Sequence, residues 1–259
     1  MFLHLKNKVT HFFVEINQSF VCFIVAGLII PLFLLLYFSF IKRASMGGAG
    51  IICVGDYLDV LADDKLVNLS LLPLLIILVS IISEHQSTTN LLLKYKSRNS
   101  IMLSQQIKII FSSAVFCLYL CGTAVIVGGL LTPILLNWEQ YESRFYYYMG
   151  YTLHLNFYVV VLNLFFRFFV LLLFFSLLVM FLSLITKKFL AYFLMFLLLA
   201  TNIVSNLNYA VNQVFFPQVE KTQYINTSSI IVYFVIVPII TVFLASLSFW
   251  ANKRKDFFV

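Results

Sequence analysis

The stretch FYYYMGYTLHLNFYVVVLNLFF, residues 145–166, decides how often this chain crosses a membrane. It contains no Asp, Glu, Lys or Arg. It is also long enough to span, since roughly 20 apolar residues rising 1.5 Å each cover about 30 Å of hydrocarbon. Yet Gly150, His154, Asn156 and Asn163 interrupt it, and the flanking charges settle the reading. If the segment does not cross, both chain ends lie inside, and the inner side holds Lys6, Lys8, Lys94, Lys96, Arg98, Lys108, Lys187, Lys188, Lys253, Arg254 and Lys255, eleven of the seventeen basic residues. The acidic residues divide the other way: Asp56, Asp59, Asp63, Asp64, Glu139, Glu142 and Glu220 fall outside, and Glu15, Glu84 and Asp256 inside. A further crossing would turn Lys187, Lys188 and the 253–255 cluster outward, against the preference of Lys and Arg for the cytoplasmic face. Residues 145–166 are therefore read as an interfacial or re-entrant segment on the outer face, with tyrosines at headgroup level.

Working outward, the remaining uncharged runs predict six spans near residues 20–41, 66–83, 109–131, 167–186, 189–206 and 230–250. Composition agrees, because a chain that is 62% hydrophobic and 10% charged over 259 residues cannot hide its apolar surface in one soluble core. The fold expected is an all-α integral membrane protein, a single domain over residues 1–259 with both termini cytoplasmic. Phe2, Leu5, Val9, Phe12 and Ile16 recur at helical spacing opposite His4, Asn7, Lys8, His11 and Glu15. Residues 1–18 thus read as an amphipathic helix lying on the membrane, or as an ordinary lead into the first span. The apolar run that follows is too long for a secretory signal.

Catalytic chemistry is not found. Gly47, Gly48, Gly50 and Gly55 lack the Lys-Ser/Thr of a phosphate-cradling loop. His4, His11, His85 and His154 are scattered, and Cys22, Cys53, Cys117 and Cys121 have no metal-ligand spacing. No cofactor or metal is expected on this chain. The +7 charge is split into short clusters, so no nucleic-acid face is expected either. In the third span Ser113, Cys117, Cys121, Ala124 and Gly128 form a small-residue face that suits close helix packing. Asn202, Ser205, Asn206, Tyr209 and Asn212 recur at helical spacing on one side where the fifth span ends, where they either bond neighbouring helices or line a path for an amphiphilic cargo. Arg167 opens the fourth span, its charge either reaching the outer headgroups or touching cargo.

Between the second and third spans, EHQSTTNLLLKYKSRNSIMLSQQIK, residues 84–108, has no Gly or Pro and interleaves apolar with polar residues. It reads as a helix that seats in a partner's groove or lies on the inner membrane surface, or as a solvated basic loop held by anionic lipid. An N-terminal amphipathic helix, six spans, Glu84 closing the second, the Ser97-Arg98 pair, Lys108 at the entry to the third span and a basic tail together resemble the permease subunit of ABC-2 type transporters. Lys96 stands where family members often carry Pro. The resemblance implies a bacterial cytoplasmic-membrane protein whose 84–108 segment is a coupling helix, docking through Glu84, Tyr95, Ser97, Arg98 and Lys108 on a separate ATPase that binds the ATP and Mg. It also implies a second permease copy or homologue, and places residues 207–229 among the family's external elements. The apolar, aromatic spans suggest a hydrophobic peptide, as in antimicrobial-peptide export or immunity, or a lipid-like cargo. The rival readings are a membrane enzyme acting on lipid or peptide, whose catalytic residues do not assemble here, and a non-transporting scaffold or sensor subunit.

Overall fold

A computed structural model of the chain describes residues 20–45, 50–63, 65–84, 98–201 and 235–254. They form α1 (Phe20–Ser45), α2 (Val54–Asp63), α3 (Lys65–Glu84), α4 (Arg98–Leu131), α5 (Arg144–Met149), α6 (Phe157–Ile185), α7 (Lys188–Thr201) and α8 (Val237–Arg254). Among these residues there is no strand, and a lone bridge joins Ile51 to Ser143. The protein is therefore all-helical where it is described. Three stretches are long and apolar enough to cross a membrane, Gly27–Ser45, Asn99–Leu131 and Phe157–Ile185. Shorter apolar helices cover Ser70–Ile81, Lys188–Leu199 and Val237–Asn252. The expected helix over 1–18 and the 207–229 segment lie outside the described residues.

Helix α6 is the axis of the bundle. A helix that is apolar on every side belongs in a packed core or a membrane span. Accordingly α6 packs against α2, α3, α4, α7 and α8, burying Val160, Leu164, Phe168, Leu172, Phe175 and Val179. Helix α4 is the second axis, packed on α1, α2, α3, α6 and α8. Its small-residue face, Ser113, Cys117, Cys121 and Ala124, is turned inward, and Gly128 lets Val54 and Tyr57 approach its backbone.

Helices α1 and α4 run parallel, tied at two levels. Near one end the Lys42 ammonium donates to the Leu131 carbonyl, at the last turn of α4. Further down, the Tyr119 hydroxyl donates to the Gly27 carbonyl at 3.0 Å. That second bond has a local cause. Pro31 lies inside α1 and has no N–H, so the carbonyl four residues earlier, Gly27, loses its helical donor. Tyr119 supplies the replacement.

Two boundaries differ from the sequence expectation. The helix that carries the third span does not start at residue 109, because α4 runs unbroken from Arg98 through 34 residues. Nor does residue 167 open the fourth span. Residues 145–166 divide into the short helix α5, a turn at Gly150 with φ of 73°, and an extended stretch to Asn156, the N-cap of α6. Helix α6 then begins at Phe157. Asn163 looked like an interruption, but it stands four residues before Arg167, and side chains at that spacing meet on one helix face. The Arg167 Nε donates to Asn163 Oδ1 at 2.8 Å, so both polar groups are accommodated inside the helix.

Candidate functional site

The densest polar chemistry lies at the end of the bundle where α1 and α4 finish. There residues 50–63 and 132–156 fold over one another as a cap. The first N–H groups of any helix lack internal partners. In α2 they are met from far along the chain: Val54 N–H donates to the Ile134 carbonyl at 2.9 Å and Gly55 N–H to the Leu135 carbonyl at 3.0 Å. Around them Ile51 N–H donates to the Glu142 carbonyl at 2.8 Å, and Arg144 N–H to the Ile51 carbonyl at 3.0 Å. Thr132 Oγ1 donates to the Ile52 carbonyl at 3.1 Å and Asn137 Nδ2 to the Ile51 carbonyl at 3.0 Å.

One glycine makes this approach possible. Gly50 has φ of 80°, and a Cβ there would lie 2.8 Å from the backbone of Ser143 and Arg144. Part of the glycine cluster therefore serves close backbone contact.

At the centre sits the buried Asp56 carboxylate. It accepts from the Cys53 N–H at 2.9 Å, from the Trp138 indole N–H at 2.9 Å and from the Cys53 thiol at 3.4 Å. An acidic residue three positions into a helix that reaches back to the N-cap N–H is half of a capping box. Trp138, fully buried, stacks on Phe145 at 4.8 Å, and Phe145 meets Tyr151 edge-on at 5.6 Å. Tyr57 is likewise fully buried and stacks on Phe38 of α1 at 4.7 Å.

Burial raises the Asp56 carboxyl above the usual aspartate range, outweighing the three hydrogen bonds and the Arg144 charge that favour ionisation. Burial, with Asp56 nearby, pushes the Cys53 thiol up to about 12, so it is no thiolate nucleophile. The Tyr57 hydroxyl is pushed up to about 12 by burial as well, against the Arg144 charge.

Arg144 is half-buried, with its guanidinium carbon 5.5 Å from the Tyr148 ring centre. Its Nε and Nη1 are buried with no hydrogen-bond partner, and so are Tyr57 Oη, Tyr151 Oη and Asn137 Oδ1. Charged and polar groups left this way cost several kcal/mol in total unless something meets them. Tyr141, Tyr147, Tyr148 and Tyr158 are exposed.

The residues singled out from sequence fall elsewhere. Arg167 is 5% exposed in the middle of α6, which corrects its reading as an arginine reaching the headgroups from a helix end. Lys108 is buried on α4, so its ammonium is not offered to a docking protein. Arg98 is the first residue of α4 and Glu84 the last of α3. Tyr95, Ser97, Asn202, Ser205, Asn206 and Tyr209 lie outside the described residues. No three His, Cys, Asp or Glu side chains among the described residues are placed to hold a metal ion.

Sequence reasoning missed Asp56, Trp138, Arg144, Tyr57, Asn137 and Tyr151, counting Asp56 and Asp59 only among the acidic residues of the outer side. Both are buried. A signal was present in Val54, Tyr57, Leu58 and Leu61 at helical spacing, with Asp56 in the first turn. No protein-family model, curated protein or solved structure matches the chain.

Proposed function

We propose that the chain is the permease subunit of an ATP-driven transporter of the ABC-2 type in the bacterial cytoplasmic membrane. In this reading it crosses six times with both termini cytoplasmic, pairs with a second permease, and exports a hydrophobic peptide or lipid-like molecule using a separate ATPase. The unbroken helix Arg98–Leu131 is the observation that carries the reading. It starts inside the segment that resembles a coupling element and ends bonded to Lys42. Thr132, the next residue, is bonded to Ile52 in the cap. Thirty-four residues at 1.5 Å each make a rod about 50 Å long, more than the ~30 Å of hydrocarbon requires. A partner pressing on one end of such a rod moves the other with it. A flexible joint at residue 108 would have absorbed that motion.

The test is capture of the ATPase. Cysteines placed at Tyr95 and Arg98 should cross-link to a soluble ATPase encoded beside this chain, and Arg98→Ala should release that subunit or uncouple hydrolysis from transport. A complex that transports while neither position cross-links refutes the assignment. The cap is the constant feature of both outcomes, since it lies at the far end of α4.

A further inference from the structure

We infer that lipid covers the outward face of the first turns of α4, at the end of the bundle away from the cap, and that the membrane begins between Ser100 and Leu103. The argument starts from the side chains that this stretch turns outward. Leu103 is 51% and Ile107 57% exposed, with Ile110 and Phe111 exposed after them, whereas Gln106 is 7% and Lys108 8% exposed. Ser112 and Ser113, one turn on, are buried as well. A helix end standing in water turns its amides and ammonium groups outward and its leucines inward. This stretch does the reverse, which is the arrangement that lipid favours.

The polar side is engaged within the bundle. Gln106 Nε2 donates to the Ala245 carbonyl of α8 at 3.0 Å, and the Ser112 hydroxyl returns to the Lys108 carbonyl at 2.7 Å. Met102 and Ile109 are buried on the same inward side. The helix is therefore held by its own bundle in the rotation that leaves only apolar groups outside.

Two further observations favour lipid over a docked protein. The outward face keeps one character along the helix: every exposed residue from Leu103 to Leu130 is apolar, and polar residues join it only at Ser100 and Asn99. Protein interfaces are rimmed by polar residues. No such break separates Leu103 and Ile107 from Leu118 and Ile126 in the middle of the helix. The length also fits. The 27 residue steps from Leu103 to Leu130 cover about 40 Å, between the ~30 Å of hydrocarbon and the roughly 40–45 Å of a bilayer with its headgroup layers. The tilt common among spanning helices takes up the excess over the hydrocarbon. The inference does not depend on the transporter reading, whose docking segment it would end at Ser100.

The chain is reconstituted in phosphatidylcholine vesicles with a nitroxide label on Ser100→Cys, Leu103→Cys or Ile107→Cys, and the signal of the labelled wild type is subtracted. Collisions with oxygen, which concentrates in lipid, are compared with collisions with a nickel chelate, which stays in water. Labels at 103 and 107 should favour oxygen several-fold relative to the label at 100, and more so at 107 than at 103. A second measurement covers the case in which the labels disturb the fold. A benzophenone side chain placed at 103 or 107 and activated in native membranes should capture phospholipid, identified by mass spectrometry of the cross-linked chain. Nickel contact at 103 and 107 equal to that at 100 would put this stretch in water. Capture of a protein in place of phospholipid would give the face to a partner such as the ATPase. Either result overturns the inference.

Discussion

The cap and the helical bundle are held by different forces. In the cap, side chains bond to groups far away in sequence: Trp138 to Asp56, Asn137 to Ile51, Thr132 to Ile52. In the bundle, the hydroxyls of Ser112, Thr123, Ser183, Thr241 and Ser248 return to carbonyls of their own helices. Tyr119 and Gln106 reach across, to Gly27 and to Ala245. Lipid is as apolar as the helices it surrounds, so helix association there rests on close packing and occasional bonds. At the cap polar groups from separate parts of the chain meet, and specific residues fix the geometry. The two regions should therefore respond differently to single substitutions.

The largest effect is expected from Trp138→Ala. It empties a fully buried site between Asp56 and Phe145 and takes one donor from a buried carboxylate. Loss of a large buried aromatic costs about 3 to 5 kcal/mol. Denaturant unfolding of the solubilised chain measures it. A loss below about 1 kcal/mol, in the range of ordinary surface substitutions, would mean the cap is not a cooperative part of the fold and would erase the contrast.

The bundle was legible in the sequence and the cap was not. Uncharged runs announce apolar helices from composition alone, and Gly27–Ser45, Asn99–Leu131 and Phe157–Ile185 overlap the runs read at 20–41, 109–131 and 167–186. The starts of α4 and α6 were misplaced because Lys108, Asn163 and Arg167 look like the ends of hydrophobic stretches. Each is instead drawn into the packed interior or paired along its helix. Nothing local in Asp56 points to Trp138, 82 positions away, or joins Gly50 to Ser143. Such pairings are set by how the elements meet, and an acidic residue after a glycine cluster reads equally well as an exposed loop. The expectation that the small-residue face of the third span serves internal packing fits the buried Ser113, Cys117, Cys121 and Ala124.

Acidity sharpens the contrast with a smaller effect. Burial holds the Asp56 carboxyl above its unfolded value, with hydrogen bonds from Cys53 and Trp138 pulling the other way. The folded chain therefore binds this proton more tightly than the unfolded chain does. Its contribution to stability is complete below the ordinary aspartate value of about 3.9 and is lost as pH rises through the folded value. Asp56→Asn should flatten that slope while keeping an oxygen for Trp138 to donate to. The difference between wild-type and Asp56→Asn unfolding free energies across mildly acidic pH isolates this one group. A constant difference would mean that Asp56 titrates alike in both states, and that the cap solvates it as well as water does.

The smallest effect should come from the bundle's own polar tie. Tyr119→Phe removes only the hydroxyl that donates to the Gly27 carbonyl. Hydrogen bonds between helices in a membrane average about 0.6 kcal/mol and reach about 1.7 at most. The upper half of that range is expected here, because Pro31 has already deprived that carbonyl of its helical donor. An acceptor left open in an apolar setting costs more than one that still has a helical bond. The explanation makes its own check through a double-mutant cycle. Pro31→Ala restores an N–H four residues after Gly27, so in that background the carbonyl has a helical donor and Tyr119→Phe should cost little. A coupling of about 1 kcal/mol between positions 31 and 119 is expected. Equal costs of Tyr119→Phe with and without the proline would show that the tyrosine acts through ring packing, and that the bundle at this level needs no polar tie.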